Sequence, residues 1–181
     1  MVSEEMKTFC HQVMDYRLPR WKELPEFDIY MDQLITLVRK YLSVLFEEED
    51  AVITSSMINN YVKAGLIPKP EKKRYNAQHI ASLIVITLMK QMLSISQIKE
   101  GIQFQLEKLG PQEAYDRFCE EQELALQMVA AQVLGQQREQ SFRERHADQL
   151  AVQLVTMSFA SALTARKMLA LRKQQPKTDA D

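Results

Sequence analysis

The chain has 181 residues, of which 46% are hydrophobic and 26% charged, a composition typical of a folded globular protein and not of a disordered one. Its 23 basic and 24 acidic side chains give a net charge of −1, so the overall charge does not by itself indicate a nucleic-acid partner. Two cysteines exclude a disulfide framework, and the N-terminus lacks the pattern of a signal peptide, so we expect a cytoplasmic protein.

Only four glycines and six prolines occur, which favours a mainly helical fold. The first 27 residues predict a short amphipathic helix after Ser3, followed by a basic and aromatic connector. Trp21 lies in this connector, and we expect it to pack on the domain because aromatic burial dominates its energetics.

A longer helix is predicted to begin near Asp28, which is a favourable capping residue. The acidic run Glu47–Asp50 follows that helix. Four consecutive acids repel DNA phosphates, so we expect this turn to be a solvated loop that points away from any nucleic acid.

The next helix carries the clearest separation of polar from apolar faces. Thr54 is a capping residue before it, and Gly65 tolerates the left-handed turn that ends a helix. Four residues are predicted to turn inward: Met57, Ile58, Tyr61 and Val62. Four others form an outward stripe without an acid: Ser56, Asn59, Asn60 and Lys63.

A basic loop follows this helix. From Thr54 to Tyr75 there are five basic residues and one acid, Glu71. We predict that Leu66–Ile67 pair with Arg74–Tyr75 as a short two-stranded wing. Asn76 is expected to cap a further helix, which is apolar enough to be the buried centre of the domain.

The last third of the chain predicts helices throughout, with a break at Gly110–Pro111 and a final helix near residues 150–171. This final helix is apolar on more faces than one neighbour covers, which indicates burial either in a bundle or at a subunit interface. Its uncharged stretch Leu150–Ala165 is too short to cross a membrane, so we expect a buried helix and no membrane partner.

The order of elements from 53 to 102 resembles the MerR-type winged helix-turn-helix. The matching positions are Tyr61, Gly65-Leu66-Ile67, Arg74-Tyr75, Leu83, Leu93-Ser94-Ile95 and Ile98. The resemblance implies a mainly α fold with a short β wing and a C-terminal helical region. Together with the residue patterns outside 53–102, it divides the chain into an N-terminal helix and connector (1–27), a winged helix-turn-helix (28–109), C-terminal helices for dimerisation or signal reception (111–172) and a disordered tail (173–181).

The same resemblance implies a transcriptional regulator that binds double-stranded DNA as a homodimer through its C-terminal helices, with an effector or partner protein as a further possibility. Base contacts are expected from Ser56, Asn59, Asn60 and Lys63. Phosphate contacts are expected from Ser55, Tyr61, Lys69, Lys72, Lys73, Arg74 and Tyr75. The family usually has arginine at the positions of Ser56 and Asn59 and a second tyrosine at that of Asn60. The chain also resembles an uncharacterised bacterial family, expected to bind DNA, that shares the segment Ser-Met-Ile-Asn-Asn-Tyr.

An enzyme, a metal site and a cofactor are not expected. The three histidines, His11, His79 and His146, are scattered without metal-ligand spacing, and there is no glycine-rich phosphate loop. We expect His79 to lie on the surface near a helix start. The alternative function is a protein-interaction module derived from the winged helix without DNA binding.

Overall fold

The computed structural model describes residues 2–46, 52–136 and 147–174, and six α-helices account for most of them. A short 3-10 helix, Trp21–Glu23, lies between the first two. The helices are α1 Glu4–Asp15, α2 Met31–Leu42, α3 Ser55–Lys63, α4 Ala77–Met89, α5 Ile95–Val133 and α6 Ala147–Gln174. The mainly α fold predicted from the sequence is confirmed.

The chain divides into two compact units. The first comprises Arg17–Glu121, and the second combines Met1–Tyr16 with Gln122–Asp181. Helices α2, α3 and α4 lie in the first unit, α1 and α6 lie in the second, and α5 contributes to both.

The N-terminal connector belongs to the first unit because α5 holds it. The backbone N–H of Trp21 donates to the Asp116 carboxylate at 2.7 Å. The Trp21 ring meets that of Tyr115 edge-on, with centroids 6.3 Å apart. The expectation that Trp21 packs on the domain is confirmed, and these contacts explain why the unit extends beyond the predicted limits of 28 and 109.

Helix α4 is the centre of the first unit, as its apolar sequence predicts. Leu83, Ile84, Ile86 and Leu88 are completely buried, and α2 packs against both α4 and α3. Helix α2 begins at Met31 and not near Asp28, because the preceding residues are extended and pair with another segment.

Helix α5 is interrupted at Gly110, as predicted. Gly110 has φ +73°, outside the helical range, and Pro111 follows it inside the helical run. The chain leaves α5 at Gly135, where φ is +70° and the N–H of Gln136 donates to the carbonyl of Ala131 at 2.9 Å. These glycines adopt a backbone conformation that other residues rarely tolerate.

In the second unit α1 packs against α6. Phe159 and Ala160 of α6 are fully buried. The stretch Gln149–Lys173 is long and apolar enough to cross a membrane by length and composition alone, a property that core helices of soluble proteins share. Of the predicted tail 173–181, Lys173 and Gln174 are helical, and 175–181 lie outside the described residues, as do Glu47–Asp50.

Candidate nucleic-acid interface

Helix α3 has well-formed ends. The hydroxyl of Thr54 accepts a hydrogen bond from the N–H of Met57 at 3.2 Å, as the capping prediction requires. At the other end Gly65 has φ +65°, and its N–H donates to the carbonyl of Val62 at 3.0 Å. The N–H of Leu66 donates to the carbonyl of Tyr61 at 2.9 Å, which completes a Schellman motif.

The two faces of α3 separate as predicted. Ile58 and Tyr61 are buried, while Met57 and Val62 are partly covered. Five polar residues are exposed: Ser55, Ser56, Asn59, Asn60 and Lys63. The side-chain amides of the two asparagines make no hydrogen bond with any other described residue, so they are available to a ligand.

Three cations from neighbouring helices hold the backbone at the two ends of α3. Arg39 of α2 donates to the carbonyl of Ile53 at 2.9 Å, and Lys90 at the end of α4 donates to the carbonyl of Val52 at 2.9 Å. Lys99 of α5 donates to the carbonyl of Ala64 at 3.0 Å. Cations near a helix C-terminus also interact favourably with the helix dipole. The outward stripe is therefore presented on a helix fixed at both ends.

Sequence reasoning did not identify these three cations, because no local spacing relates them to α3. Lys90 is also partly covered, with its Nζ atom 3.9 Å from the sulfur of Met57. Burial lowers the pKa of Lys90 below its usual value. We interpret Lys90 as a residue that positions α3, since its ammonium is directed at the protein backbone.

The basic loop after α3 ends in a tight turn, Glu71–Arg74. The N–H of Arg74 donates to the carbonyl of Glu71 at 2.8 Å. Both central residues have left-handed backbone conformations, with φ +46° at Lys72 and +63° at Lys73. Positive φ at both positions defines a type I′ turn, which normally carries asparagine and glycine. The two lysines therefore occupy strained positions.

The predicted pairing of Leu66–Ile67 with Arg74–Tyr75 is wrong. Tyr75 pairs with Ile29 instead, through two backbone hydrogen bonds of 2.9 Å in an antiparallel bridge. The side chains of Leu66 and Ile67 are both buried. Their apolar character reflects core packing after the end of α3, which the sequence pattern did not distinguish from a strand.

Beside this bridge, Arg74 lies against Tyr30. Its guanidinium is 5.0 Å from the centroid of the Tyr30 ring, and Nη2 donates to the phenol oxygen at 3.1 Å. Tyr30 is 54% exposed, and Phe27 nearby in the sequence is also exposed. Tyr30 is not among the contact residues predicted from the sequence, where its signal is a large aromatic residue beside an isoleucine just before a helix.

His79 is buried beside Tyr75 and does not lie on the surface, which corrects the sequence-based expectation. It is 4% exposed and meets the ring of Tyr75 edge-on at 5.3 Å. Its Nδ1 atom accepts the backbone N–H of Asn76 at 3.1 Å, and the Asn76 side chain caps α4 in return. Burial lowers the pKa of His79, an effect that the Pro68 carbonyl and the Asp28 carboxylate oppose.

The candidate contact residues fall into two groups. Those with exposed side chains are Ser55, Ser56, Asn59, Asn60, Lys63, Lys69, Lys72, Lys73 and Arg74. Within the described part of the chain, none of the five basic residues in this group forms an ion pair. Tyr61 and Tyr75 are 8% and 4% exposed, and burial raises the pKa of both hydroxyls. Both rings pack mainly in the core, and contact of their hydroxyls with phosphates stays a prediction.

A family model described as a domain of unknown function (DUF1836) matches residues 19–118. These limits almost coincide with those of the first unit, Arg17–Glu121, which contains α3 and the basic turn. Comparison with curated proteins and with solved structures gave no match. Because the match covers more than half of the sequence, the chain belongs to this DUF1836 family.

Proposed function

We propose that this protein is a cytoplasmic regulator that binds double-stranded DNA through a MerR-like winged helix-turn-helix. Helix α3 enters the major groove, and the basic turn lies against the phosphate backbone. The observation that carries the proposal is the outward face of α3, which consists of polar and basic side chains without an acid. Its amides are unengaged by the described residues, and the helix is fixed at both ends.

The chemistry of the stripe suits base edges. An asparagine amide donates and accepts at once, so it can bond N6 and N7 of one adenine in the major groove. Asn59 and Asn60 are the residues with this capacity, and Ser56 and Lys63 lie on the same exposed face. These four residues are the proposed base contacts.

The phosphate contacts are proposed for the residues that surround this face and the turn. Lys69, Lys72, Lys73 and Arg74 are exposed cations, and Ser55 is an exposed hydroxyl in the first turn of α3. Such residues fix the position of a protein on DNA without distinguishing sequences. The strained turn supports this role, because left-handed lysines are costly and persist at functional sites more often than elsewhere.

The second unit is proposed to form a homodimer through α6. Leu154 and Leu169 of that helix are 53% and 58% exposed, and Leu150 and Met168 are exposed as well. A two-fold dimer would present two α3 helices to half-sites about 34 Å apart, one turn of DNA.

Selection of bound duplexes from a random pool by the full-length protein tests the proposal. We expect enrichment of a site with two related halves. Affinity for the selected duplex should also fall steeply as salt rises, with a log–log slope of roughly −0.9 for each phosphate neutralised. The absence of binding to any duplex at about 50 mM salt, where phosphate contacts are only weakly screened, would refute the proposal.

A protein-interaction module without DNA binding is the second candidate. The exposed leucines of α6 favour it, because several large apolar side chains exposed on one helix are typical of a contact site. The two candidates differ in their dependence on salt. Apolar contacts with a partner protein are insensitive to salt compared with contacts to DNA phosphates.

A further inference from the structure

The antiparallel bridge between Ile29 and Tyr75 determines where the next pair of side chains lies. Ile29 and Tyr75 exchange both backbone hydrogen bonds, and their side chains are buried. In an antiparallel pair the next opposed residues are Tyr30 and Arg74, which point to the opposite face. Both are exposed, as this alternation requires.

The contact between Tyr30 and Arg74 is specific on two counts. The guanidinium stacks over the ring at 5.0 Å, and Nη2 donates to the phenol oxygen at 3.1 Å. A cation above an aromatic face is attracted by the ring quadrupole, so the arginine is held in one orientation before any ligand arrives. This preorganisation reduces the side-chain entropy lost on binding.

The hydrogen-bonding capacity of the pair is not exhausted by this contact. The phenol oxygen accepts a hydrogen bond from Arg74, so its own O–H remains a donor. A guanidinium has five N–H donors, of which one is directed at Tyr30. The pair therefore presents several donors and one positive charge at the same place, an arrangement suited to an oxyanion.

The surrounding charge favours a phosphate. Lys72 and Lys73 immediately precede Arg74, and both are exposed in the strained turn. A run of phosphates along a duplex can engage the turn and the pair together, whereas a single free anion can occupy one of them at a time.

From this geometry we infer that Tyr30 and Arg74 form a composite binding site for one phosphodiester group of the DNA backbone, in which Tyr30 contacts the ligand directly. The inference rests on the proposed DNA-binding function and adds to it a residue from the segment before α2. Arginine planes and hydroxyl groups are both common phosphate contacts in DNA complexes. A phenol O–H bond to a charged oxygen is also stronger than one between neutral groups.

Replacing Tyr30 by phenylalanine tests the inference, because Tyr30→Phe removes the hydroxyl but keeps the ring under Arg74. Binding of the full-length chain to a duplex selected by the wild-type protein is followed by fluorescence anisotropy over a series of salt concentrations. Tyr30→Phe is expected to weaken binding about tenfold, the effect of losing one hydrogen bond to a charged group. The salt slope should stay unchanged, since no charge is lost.

Two further variants separate this role from a structural one. Arg74→Ala should weaken binding and reduce the salt slope by about 0.9, because one phosphate contact loses its cation. In the Arg74→Ala background, Tyr30→Phe should have a smaller effect than it has alone, because the two groups share one phosphate. Tyr41→Phe removes a tyrosine hydroxyl from α2 and serves as the matched control, with wild-type binding expected.

The outcomes distinguish the inference from the function on which it rests. If the wild-type chain binds the selected duplex and Tyr30→Phe binds it equally well, the composite site is refuted while DNA binding stands. If no duplex binds the wild-type chain, the proposed function fails and the site fails with it. Titration with inorganic phosphate alone identifies the source of the ligand: free phosphate should bind the pair far more weakly than the selected duplex does, and binding as tight as that of the duplex would overturn the assignment to a DNA backbone.

Discussion

The Nζ atom of Lys99 lies 3.3 Å from the position that a Cβ atom on Gly65 would occupy, and it donates to the adjacent Ala64 carbonyl at 3.0 Å. The end of α3 is therefore specified twice, by a left-handed glycine and by a cation from α5. Space and backbone conformation both restrict the residue at position 65.

Gly65→Ala is expected to destabilise the protein by about 1–2 kcal/mol, because alanine is strained at φ +65°. Displacement of the Lys99 ammonium would add to this cost. Urea unfolding monitored by circular dichroism measures the change. Gly101→Ala is the matched control: its Cβ meets no atom within 4 Å, and alanine within a helix is expected to stabilise by about 0.5–1 kcal/mol. If the two substitutions change the unfolding free energy equally, glycine is not required at the end of α3.

Replacing the central lysines of the basic turn should separate stability from binding. Lys72→Asn with Lys73→Gly places the preferred residues of a type I′ turn at φ +46° and +63°, and we expect a gain of about 0.5–2 kcal/mol in unfolding free energy. The same variant loses two cations, so its affinity for DNA should fall and its salt slope should decrease by roughly 2. If the variant is more stable and binds DNA with unchanged salt dependence, the turn does not contact phosphates and is not part of the proposed interface.

The helices and their ends were largely predictable because local chemistry determines them. Thr54, Asn76 and Gly110 act within a few residues of themselves, so capping and breaking signals are legible in the sequence. The partner of Tyr75 was not predictable, because Ile29 lies far away in the chain and the nearer apolar pair Leu66–Ile67 offered a plausible strand. The pattern alone does not reveal which of two apolar segments is buried by packing and which by pairing.

The candidate site likewise combines features that local sequence predicts with features that depend on residues distant in the chain. The exposed face of α3 follows from helical periodicity, and Asn59 and Asn60 lie on it as predicted. Arg39 and Lys90, which hold the start of α3, come from other helices, and no spacing links them to it. The burial of the Tyr61 and Tyr75 rings was not evident from the resemblance that assigned them to phosphates, because the positions of these residues in the motif do not reveal what packs around them.

Asn59→Ala and Lys72→Ala should weaken DNA binding in different ways. Loss of the amide removes a base contact, so the preference for the selected duplex over random DNA should fall by about 1–3 kcal/mol. Loss of the lysine should weaken binding to all duplexes alike and reduce the salt slope by about 1. Competition experiments with selected and random duplexes measure both quantities. The same loss of preference in the two variants would refute this division of roles.

His79 should make stability depend on pH below neutrality. Burial lowers the folded-state pKa of His79 below its unfolded value of about 6.5, so the unfolded chain binds the proton first as pH falls. Stability is then complete above the unfolded pKa and decreases as pH falls from there through the folded pKa. Urea midpoints between pH 7.5 and pH 5.5, the range around the reference pKa, should show this decrease.

Glutamine at position 79 keeps an acceptor for the N–H of Asn76, as in an ordinary capping box, but does not titrate. His79→Gln should therefore flatten the pH dependence, whereas His11→Gln, which alters an exposed histidine, should not. A wild-type midpoint that is constant over this range would show that protonation of His79 is not linked to folding.

The exposed leucines of α6 give the proposed dimer a direct test. Leu154→Glu with Leu169→Glu places two charges on side chains that are more than half exposed, so the folded monomer should tolerate them. In a dimer each leucine would be buried, where a fully buried leucine contributes about 1.5–3 kcal/mol and a charge is strongly unfavourable. Sedimentation velocity should show the wild-type chain as a dimer and this variant as a monomer. Gln91→Glu, at an exposed position in the turn after α4, adds a charge in the other unit and should leave the dimer intact. If the leucine variant remains dimeric, the interface lies elsewhere; if it is monomeric yet binds a single half-site with unchanged base preference, DNA recognition resides within one chain and dimerisation supplies affinity.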